Sequence, residues 1–370
     1  MKKEIEKYLS SIDLDIRKSK NARFIDHKVT ADVLTIIADC VVEFIEQTNK
    51  EEFTVKDIWE FKYSNENIKE VFGKPEVLEK KAKSEYDKFF SQSLISLAYG
   101  KILNGEKKKG KWYFTIENKV ILDFISIRER NSLIFLNIYL TKILNDSNIW
   151  DIFNNFFEFP TKEKLKIIKD EYKVMIRHYT KTQSELDINR MFPKVLNPLA
   201  YARKKLGIVD GRISKDIIGL NDLFYNRKNW SDVEKDKNET REEYELRAKN
   251  KIITYQKYSL QKAKKLIKKY HSPHSEIQDE FSYGEATQVH HIFMQSDFPT
   301  IDSYLENLIL LTPTQHMTKA HPNNNTKIID KEYQKVCINA KYNSIQMFPN
   351  LYSMEDFEYV LEVGNIKTYE

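Results

Sequence analysis

The chain has 370 residues, 41% of them apolar and 31% charged, with nine Gly, nine Pro and two Cys. That length and apolar fraction point to two or three folded domains and exclude disordered, collagen-like and mucin-like chains. Sixty Lys and Arg against 55 Asp and Glu give a net charge of +5, too small an excess to name a partner by itself.

Several function classes drop out at once. No two glycines form a G-x-G, so the dinucleotide fingerprint is absent. Gly105 and Gly110-Lys111 mimic P-loop spacing, but Trp112 stands where Ser or Thr must hold magnesium. Cys40 and Cys337 are too few for a disulfide framework or a four-Cys zinc site, and Cys40 sits in an apolar run that predicts a buried thiol. The charged start Met-Lys-Lys-Glu-Ile-Glu-Lys is no signal peptide. The longest apolar stretch, Val120 to Leu140, is broken by Asp123, Arg128, Glu129 and Arg130, so no membrane partner and a cytoplasmic location are expected.

In chain order, Thr30 to Gln47 carries apolar residues at 33, 34, 36, 37, 41, 42, 44 and 45, an amphipathic helix with Thr30 as its cap. Thr54-x-x-Asp57 predicts a capping box opening a short second helix. Pro75 to Leu103 supplies a long helical pattern. Asn104-Gly105, a Lys-rich turn around Gly110, and Trp112 to Ile116 then read as a β-hairpin. Three helices followed by a basic hairpin resemble a winged-helix domain, over residues 1–150 once Asn118 to Asp146 closes it as helix. The resemblance implies DNA binding, with Lys107, Lys108, Lys109 and Lys111 on the backbone.

Residues 151–280 read as a helical middle region, broken near Thr182 and at the turn Asp210-Gly211. Within it, Tyr225 to Trp230 mixes donors and aromatics, making Arg227 a candidate DNA contact. Lys251 to Tyr270 holds seven Lys and no acid, a basic helix with aromatics that suits a phosphate backbone. His271 and His274 flank Ser272-Pro273 and predict an exposed turn.

Four of the eight histidines fall between residues 290 and 321: His290, His291, His316 and His321. Thr287 to Phe293 predicts a short strand whose paired histidines point to opposite sides. Asn307 opens a second apolar strand, Leu308 to Leu311, and Thr312-Pro313-Thr314 starts a helix with His316 in its first turn. Such a ββα hairpin brings one strand histidine to one helix histidine as a metal site. The other strand histidine is left free to act as a base.

This text, roughly residues 285–326, resembles the HNH (ββα-metal) endonuclease family. The resemblance implies that His290 and His316 are metal ligands and that His291 is the general base. It also implies that Asn307 bonds to backbone across the hairpin and holds His291 in line, and that Lys319 meets the phosphate. His321 departs from the pattern: five residues after His316 it lies about 140° away on an ideal helix, so it either ligates from an unwound helix end or touches phosphate. With the winged-helix-like front, the chain resembles HNH-type restriction endonucleases.

The expectation is an α+β, mostly helical protein with a C-terminal HNH module over 281–370. It would be a site-specific double-stranded DNA endonuclease using one divalent ion per active site. The resemblance favours Mg²⁺, whereas His ligands suit Mn²⁺, Zn²⁺ or Ni²⁺. A palindromic site implies a homodimer, and restriction implies a cognate DNA methyltransferase as partner. The alternatives are a nonspecific or nicking HNH nuclease and a non-enzymatic winged-helix regulator.

Overall fold

The computed structural model describes residues 1–74, 82–225, 241–321, 325 and 328–366, and for 82–84 and 241–252 the backbone alone. It is α+β and mostly helical, with small antiparallel sheets. The chain divides into two compact units, Met1–Lys251 and Ile252–Glu370. No helix among the described residues is long and apolar enough to cross a membrane.

The first unit begins with α1 (Lys2–Ser10), α2 (Ile16–Ser19) and the central helix α3 (Ala31–Thr48). Apolar residues at 33, 34, 36, 37, 40 and 41 leave α3 almost no solvent face, and it packs between α7 (Lys119–Ile127) and α8 (Glu129–Asp146). Thr30 precedes α3, but its hydroxyl donates to the Asp32 carboxylate at 2.6 Å rather than capping a backbone N–H.

Strand β1 (Glu52–Thr54) runs into α4 (Val55–Glu60) through the expected capping box. The Asp57 amide donates to Thr54 Oγ1 at 3.2 Å, and the Thr54 amide donates to the Asp57 carboxylate at 2.8 Å. Helices α5 (Lys62–Phe72) and α6 (Ala82–Tyr99) follow, then the hairpin β2 (Leu103–Lys108) and β3 (Lys111–Ile116). The sheet order is β1-β3-β2, with Phe53 opposite Phe114 and their rings stacked at 5.9 Å. Lys109 and Gly110 turn the hairpin with φ of 48° and 84°, the two-residue geometry that matches strand twist and favours Gly.

Helix α5 was not anticipated. Its buried apolar residues are only Ile68, Val71 and Phe72, a single turn of pattern that is too short to register as periodicity. The start of the expected Pro75–Leu103 helix lies outside the described residues; α6 begins at Ala82.

Beyond α8 come α9 (Trp150–Glu158), α10 (Lys162–Tyr179), α11 (Glu185–Ala202) and a second hairpin, β4 (Leu206–Val209) and β5 (Arg212–Ile217). Asp210 and Gly211, both at positive φ, are its turn. The turn was expected and the hairpin was not, because β4 is only four residues long and β5 carries just two apolar residues, Ile213 and Ile217. Asn197 in α11 pins it by exchanging two 2.9 Å hydrogen bonds with the Ile208 backbone. Arg203 donates to Asn137 Oδ1 at 2.8 Å and lies 4.7 Å over the Trp150 ring. These contacts join α11 to α8, so the helices on both sides of residue 150 form one unit where the sequence suggested a boundary.

Most of α12 (Arg241–His271) belongs to the second unit, with β6 (Gln288–His291), β7 (Leu308–Leu311), α13 (Lys331–Met347) and α14 (Met354–Val363). The sequence suggested an edge at 280. The unit starts earlier because the end of α12 is tied in: His271 Nε2 lies 2.7 Å from the Tyr352 hydroxyl, and its ring packs on Phe348. The His271 side chain is therefore largely buried, contrary to the exposed turn expected of it, while His274 is exposed.

β6 and β7 pair antiparallel, with His290 opposite Ile309 and His291 opposite Leu308. All four residues of β7 are buried. Its outer edge is closed by Glu276, whose amide donates to the Leu310 carbonyl at 3.0 Å and whose carboxylate accepts from the Leu310 amide at 2.8 Å. The same carboxylate takes Lys341 Nζ at 2.6 Å in a fully buried ion pair. The β6–β7 hairpin is thus a rigid platform.

Candidate metal centre

Alternation along β6 sends His290 and His291 to opposite faces of the hairpin. His290 is buried and faces the segment that follows β7. That segment starts at Thr312, which forms a reciprocal cap with Gln315. The Gln315 amide donates to Thr312 Oγ1 at 3.1 Å, and the Thr312 amide donates to Gln315 Oε1 at 3.0 Å. Pro313, lacking an N–H, occupies the first turn, where that donor has no partner to lose.

The turn that follows, Gln315–Ala320, is a π-helix, ending at His321 in extended geometry with φ −122° and ψ 97°. A π-helix pairs residues i and i+5, so a five-residue step returns to the same side. That pitch brings His321 beside His316, which an α-helix of the same sequence would not do. The extended backbone at His321 agrees with the conformational bias imposed by a following proline in the sequence, Pro322.

The three imidazoles converge. Each of His290, His316 and His321 offers a ring nitrogen, and these atoms lie within 4.8 Å of one another. Ring centroids are 5.3 Å apart for His290–His316, 4.9 Å for His290–His321 and 4.8 Å for His316–His321. His321 Nδ1 is 2.8 Å from the Ile328 carbonyl. Donation there fixes the tautomer with the proton on Nδ1 and leaves the Nε2 lone pair for an ion, the usual outer-shell arrangement of a ligating histidine. Burial pushes the His290 pKa down to about 3, helped by the neighbouring His321, His316 and His291, and burial also lowers that of His316. Both rings are thereby kept neutral, the form that binds metal.

On the other face, His291 Nε2 lies 3.1 Å from the Asp302 carbonyl. A carbonyl only accepts, so Nε2 carries the proton and Nδ1 keeps a free lone pair. Burial, and then the positive charge of Lys264, hold the His291 pKa below its ordinary value, against the raising effect of the Asp302 carbonyl. A neutral, oriented imidazole next to a candidate metal ligand is suited to accept a proton.

Asn307 is fully buried at the end of the 3₁₀ turn Leu305–Asn307 that leads into β7. Its Oδ1 accepts from the Phe293 amide at 2.8 Å, and its Nδ2 donates to the Phe293 and Ile301 carbonyls, each at 3.1 Å. It thus closes the 292–307 loop, which carries Asp302, and acts on His291 through that loop rather than by contact.

Gln315 was missed by sequence reasoning. Completely buried, its Oε1 accepts from Ser275 Oγ at 2.6 Å, and its Nε2 donates to the Ile277 carbonyl at 3.0 Å and to Asp279 at 2.9 Å. The pattern Thr312-x-x-Gln315 was its only signal. The carbonyls of Asp302 and Ile328 have no side-chain signature.

The expected DNA contacts fall in both units. Lys107, Lys108, Lys109 and Lys111 are exposed at the tip of the β2–β3 hairpin, with Lys108 held by Glu106 at 2.9 Å. Lys319 donates to Glu280 at 3.0 Å and lies 4.6 Å over the Phe281 ring, so its charge is already engaged. Arg227 lies outside the described residues. Comparison with protein-family models, curated sequences and solved structures returns no match for this chain.

Proposed function

We propose that the chain is a metal-dependent DNA endonuclease of the HNH (ββα-metal) type, cutting duplex DNA at specific sites as restriction enzymes do. The observation that carries this reading is the juxtaposition of a convergent His290–His316–His321 triad with His291, a neutral imidazole on the adjacent residue whose tautomer is fixed by a backbone carbonyl.

The donor set is chemically suited to a divalent transition ion. Three neutral imidazoles favour Zn²⁺, Ni²⁺ or Mn²⁺ over Mg²⁺, which prefers oxygen ligands. Bound there, an ion would supply a Lewis acid for a phosphate oxygen and for charge on the departing 3′ oxygen. The protein's own part is to orient and to move a proton. His291 Nδ1 takes the proton of the attacking water while its Nε2–H remains on the Asp302 carbonyl. Asn307 keeps the 292–307 loop, and with it that carbonyl, in register. Gln315 and its partners anchor the turn that presents His316.

The first unit supports the DNA-reading half of the proposal. A central helix, a short strand, further helices and a hairpin that closes a β1-β3-β2 sheet support a winged-helix reading, in which the exposed lysines 107–109 and 111 would sit at the wing tip. A palindromic target would be served by a two-fold dimer carrying one nuclease site per strand.

The test is digestion of unmodified phage DNA with Mg²⁺, Mn²⁺, Zn²⁺ or Ni²⁺, against EDTA and a His291→Ala protein, with the ends sequenced. Discrete fragments sharing one short end motif, absent in both controls, are expected. A metal-dependent smear would retain the nuclease and remove site specificity. Uncut DNA that still shifts in a gel would favour a non-enzymatic regulator.

A further inference from the structure

His290 and His291 sit on β6, whereas His316 lies in the turn Gln315–Ala320 and His321 follows it. The base and two of the three candidate ligands are therefore carried by separate elements. A group that takes a proton from water beside an ion has to be held within about 0.5 Å of its working place. Such precision needs a fixed spacer between β6 and the metal-binding turn, and the start of α13 supplies one.

One end of this helix holds the turn. The Asp330 amide, at the N-cap, donates to the Ala320 carbonyl at 3.0 Å, and the Ile328 carbonyl accepts from His321 Nδ1 at 2.8 Å. Tyr333 donates its hydroxyl to Asp279 at 3.1 Å, the carboxylate that also accepts from Gln315. Four residues after Asp330, about 6 Å along the axis, Gln334 holds the strand. It is 5% exposed. Its Oε1 accepts from Lys331 Nζ at 3.2 Å, and its Nε2 donates to the Ile292 carbonyl at 2.5 Å. Ile292 directly follows His291, and its amide donates to the Asn307 carbonyl at 2.8 Å. The backbone leaving His291 is thus gripped both by Asn307 and by α13.

We propose that Gln334 is a positioning residue that sets His291 against the metal-binding turn, with the first turn of α13 as the spacer between base and ligands. The inference rests on the nuclease reading and adds to it the residue that fixes the working distance of its base. Gln334 acts through the Ile292 carbonyl, while Asp330 and the Ile328 carbonyl hold the ligand side of the same spacer.

The experiment compares the full-length wild type with Gln334→Met, which keeps the length of the side chain and removes the donor. Gln334→Asn, whose amide is one methylene too short, takes its place should the Met protein not fold. Displacing a base by about 1 Å costs about 10²-fold, so kcat for duplex DNA with Mn²⁺ should fall by about that factor with KM unchanged. A His291→Ala/Gln334→Met protein should cut no more slowly than His291→Ala, because Gln334 works only through the base. In the metal-free, ¹⁵N-histidine-labelled protein the His291 ring is assigned by its loss in His291→Ala. It should show the Nε2–H tautomer in the wild type and a mixture of tautomers in the variant. The thermal shift on adding Zn²⁺ should equal that of the wild type, since no ligand is touched. A wild-type kcat, a further fall in the double variant, an unchanged His291 tautomer or a lost Zn²⁺ shift each overturns the assignment and leaves the nuclease standing. A wild type that cuts with none of Mg²⁺, Mn²⁺, Zn²⁺ and Ni²⁺ overturns the nuclease reading, and the inference with it.

Discussion

Asn307 and Phe293, fourteen residues apart, exchange hydrogen bonds in both directions: the Phe293 amide donates to Oδ1 at 2.8 Å and Nδ2 donates to the Phe293 carbonyl at 3.1 Å. A side-chain amide mimics here the pairing of a backbone strand, extending the ladder past the point where β6 ends. Asn307→Ala strips partners from the Phe293 amide and from the Phe293 and Ile301 carbonyls in a buried setting. The expected cost is roughly 2–4 kcal/mol, at about 1–3 kcal/mol for each unsatisfied group less some relaxation. Urea unfolding of the metal-free protein reads this directly, and cleavage should fall even at low denaturant because the Asp302 carbonyl loses its register.

Metal binding should raise the thermal midpoint, since an ion that binds only the folded state at about a hundred times its Kd adds about 2.7 kcal/mol. His290→Ala, His316→Ala and His321→Ala should each abolish the Zn²⁺-induced rise seen in calorimetry. A rise that survived in His321→Ala would reduce the site to two ligands.

His291→Ala should behave in the opposite way. The Zn²⁺-induced rise is retained, while cleavage drops by about 10²–10⁴-fold, the usual worth of a general base. Because the folded protein holds the His291 pKa below the ordinary value of 6.5, the acid limb of the wild-type pH–rate profile should lie below that pH. Above it the imidazole is neutral and the rate is on its plateau.

The buried Lys341–Glu276 pair makes a separate prediction for stability. Lys341→Met leaves a carboxylate buried without its cation and should cost about 3–5 kcal/mol. Adding Glu276→Gln to it should recover a large part of that loss in the same denaturation assay, because the neutral amide still accepts from the Leu310 amide.

Gly364 follows α14, and a Cβ there would collide with the Phe293 ring. Gly364→Ala must displace a ring that is 2% exposed, and overpacking of this kind costs about 1–3 kcal/mol. Since Phe293 is also Asn307's partner, cleavage should fall with stability in this variant.

Much of the second unit was legible because its signals are local. The alternation at His290-His291, the apolar run Leu308 to Leu311 and the breaker Pro313 each fix one element on their own. Thr54 and Asp57 did the same for α4. What escaped depended on contacts distant in sequence or on backbone alone. Helix α5 and strands β4 and β5 owe their stability to tertiary packing more than to pattern, as the clasp of Asn197 on Ile208 shows. For His321 the sequence left ligation from an unwound helix end or phosphate contact open, because the π-helical pitch that brings its ring beside His316 has no local signature.

That pitch has a consequence for how the chain can change. A π-helix winds more slowly than an α-helix, so it keeps a step of five within the arc that an α-helix reaches at a step of four. Between His316 and His321 the winding of the turn, and not the residue count alone, therefore decides whether the two rings meet. Deleting a single residue from 317–320 removes no ligand, and the resulting step of four still falls on one side whether the turn keeps π pitch or returns to α pitch. Inserting a residue gives a step of six, which carries His321 well off the face on either winding. The turn accepts shortening by one residue and rejects lengthening.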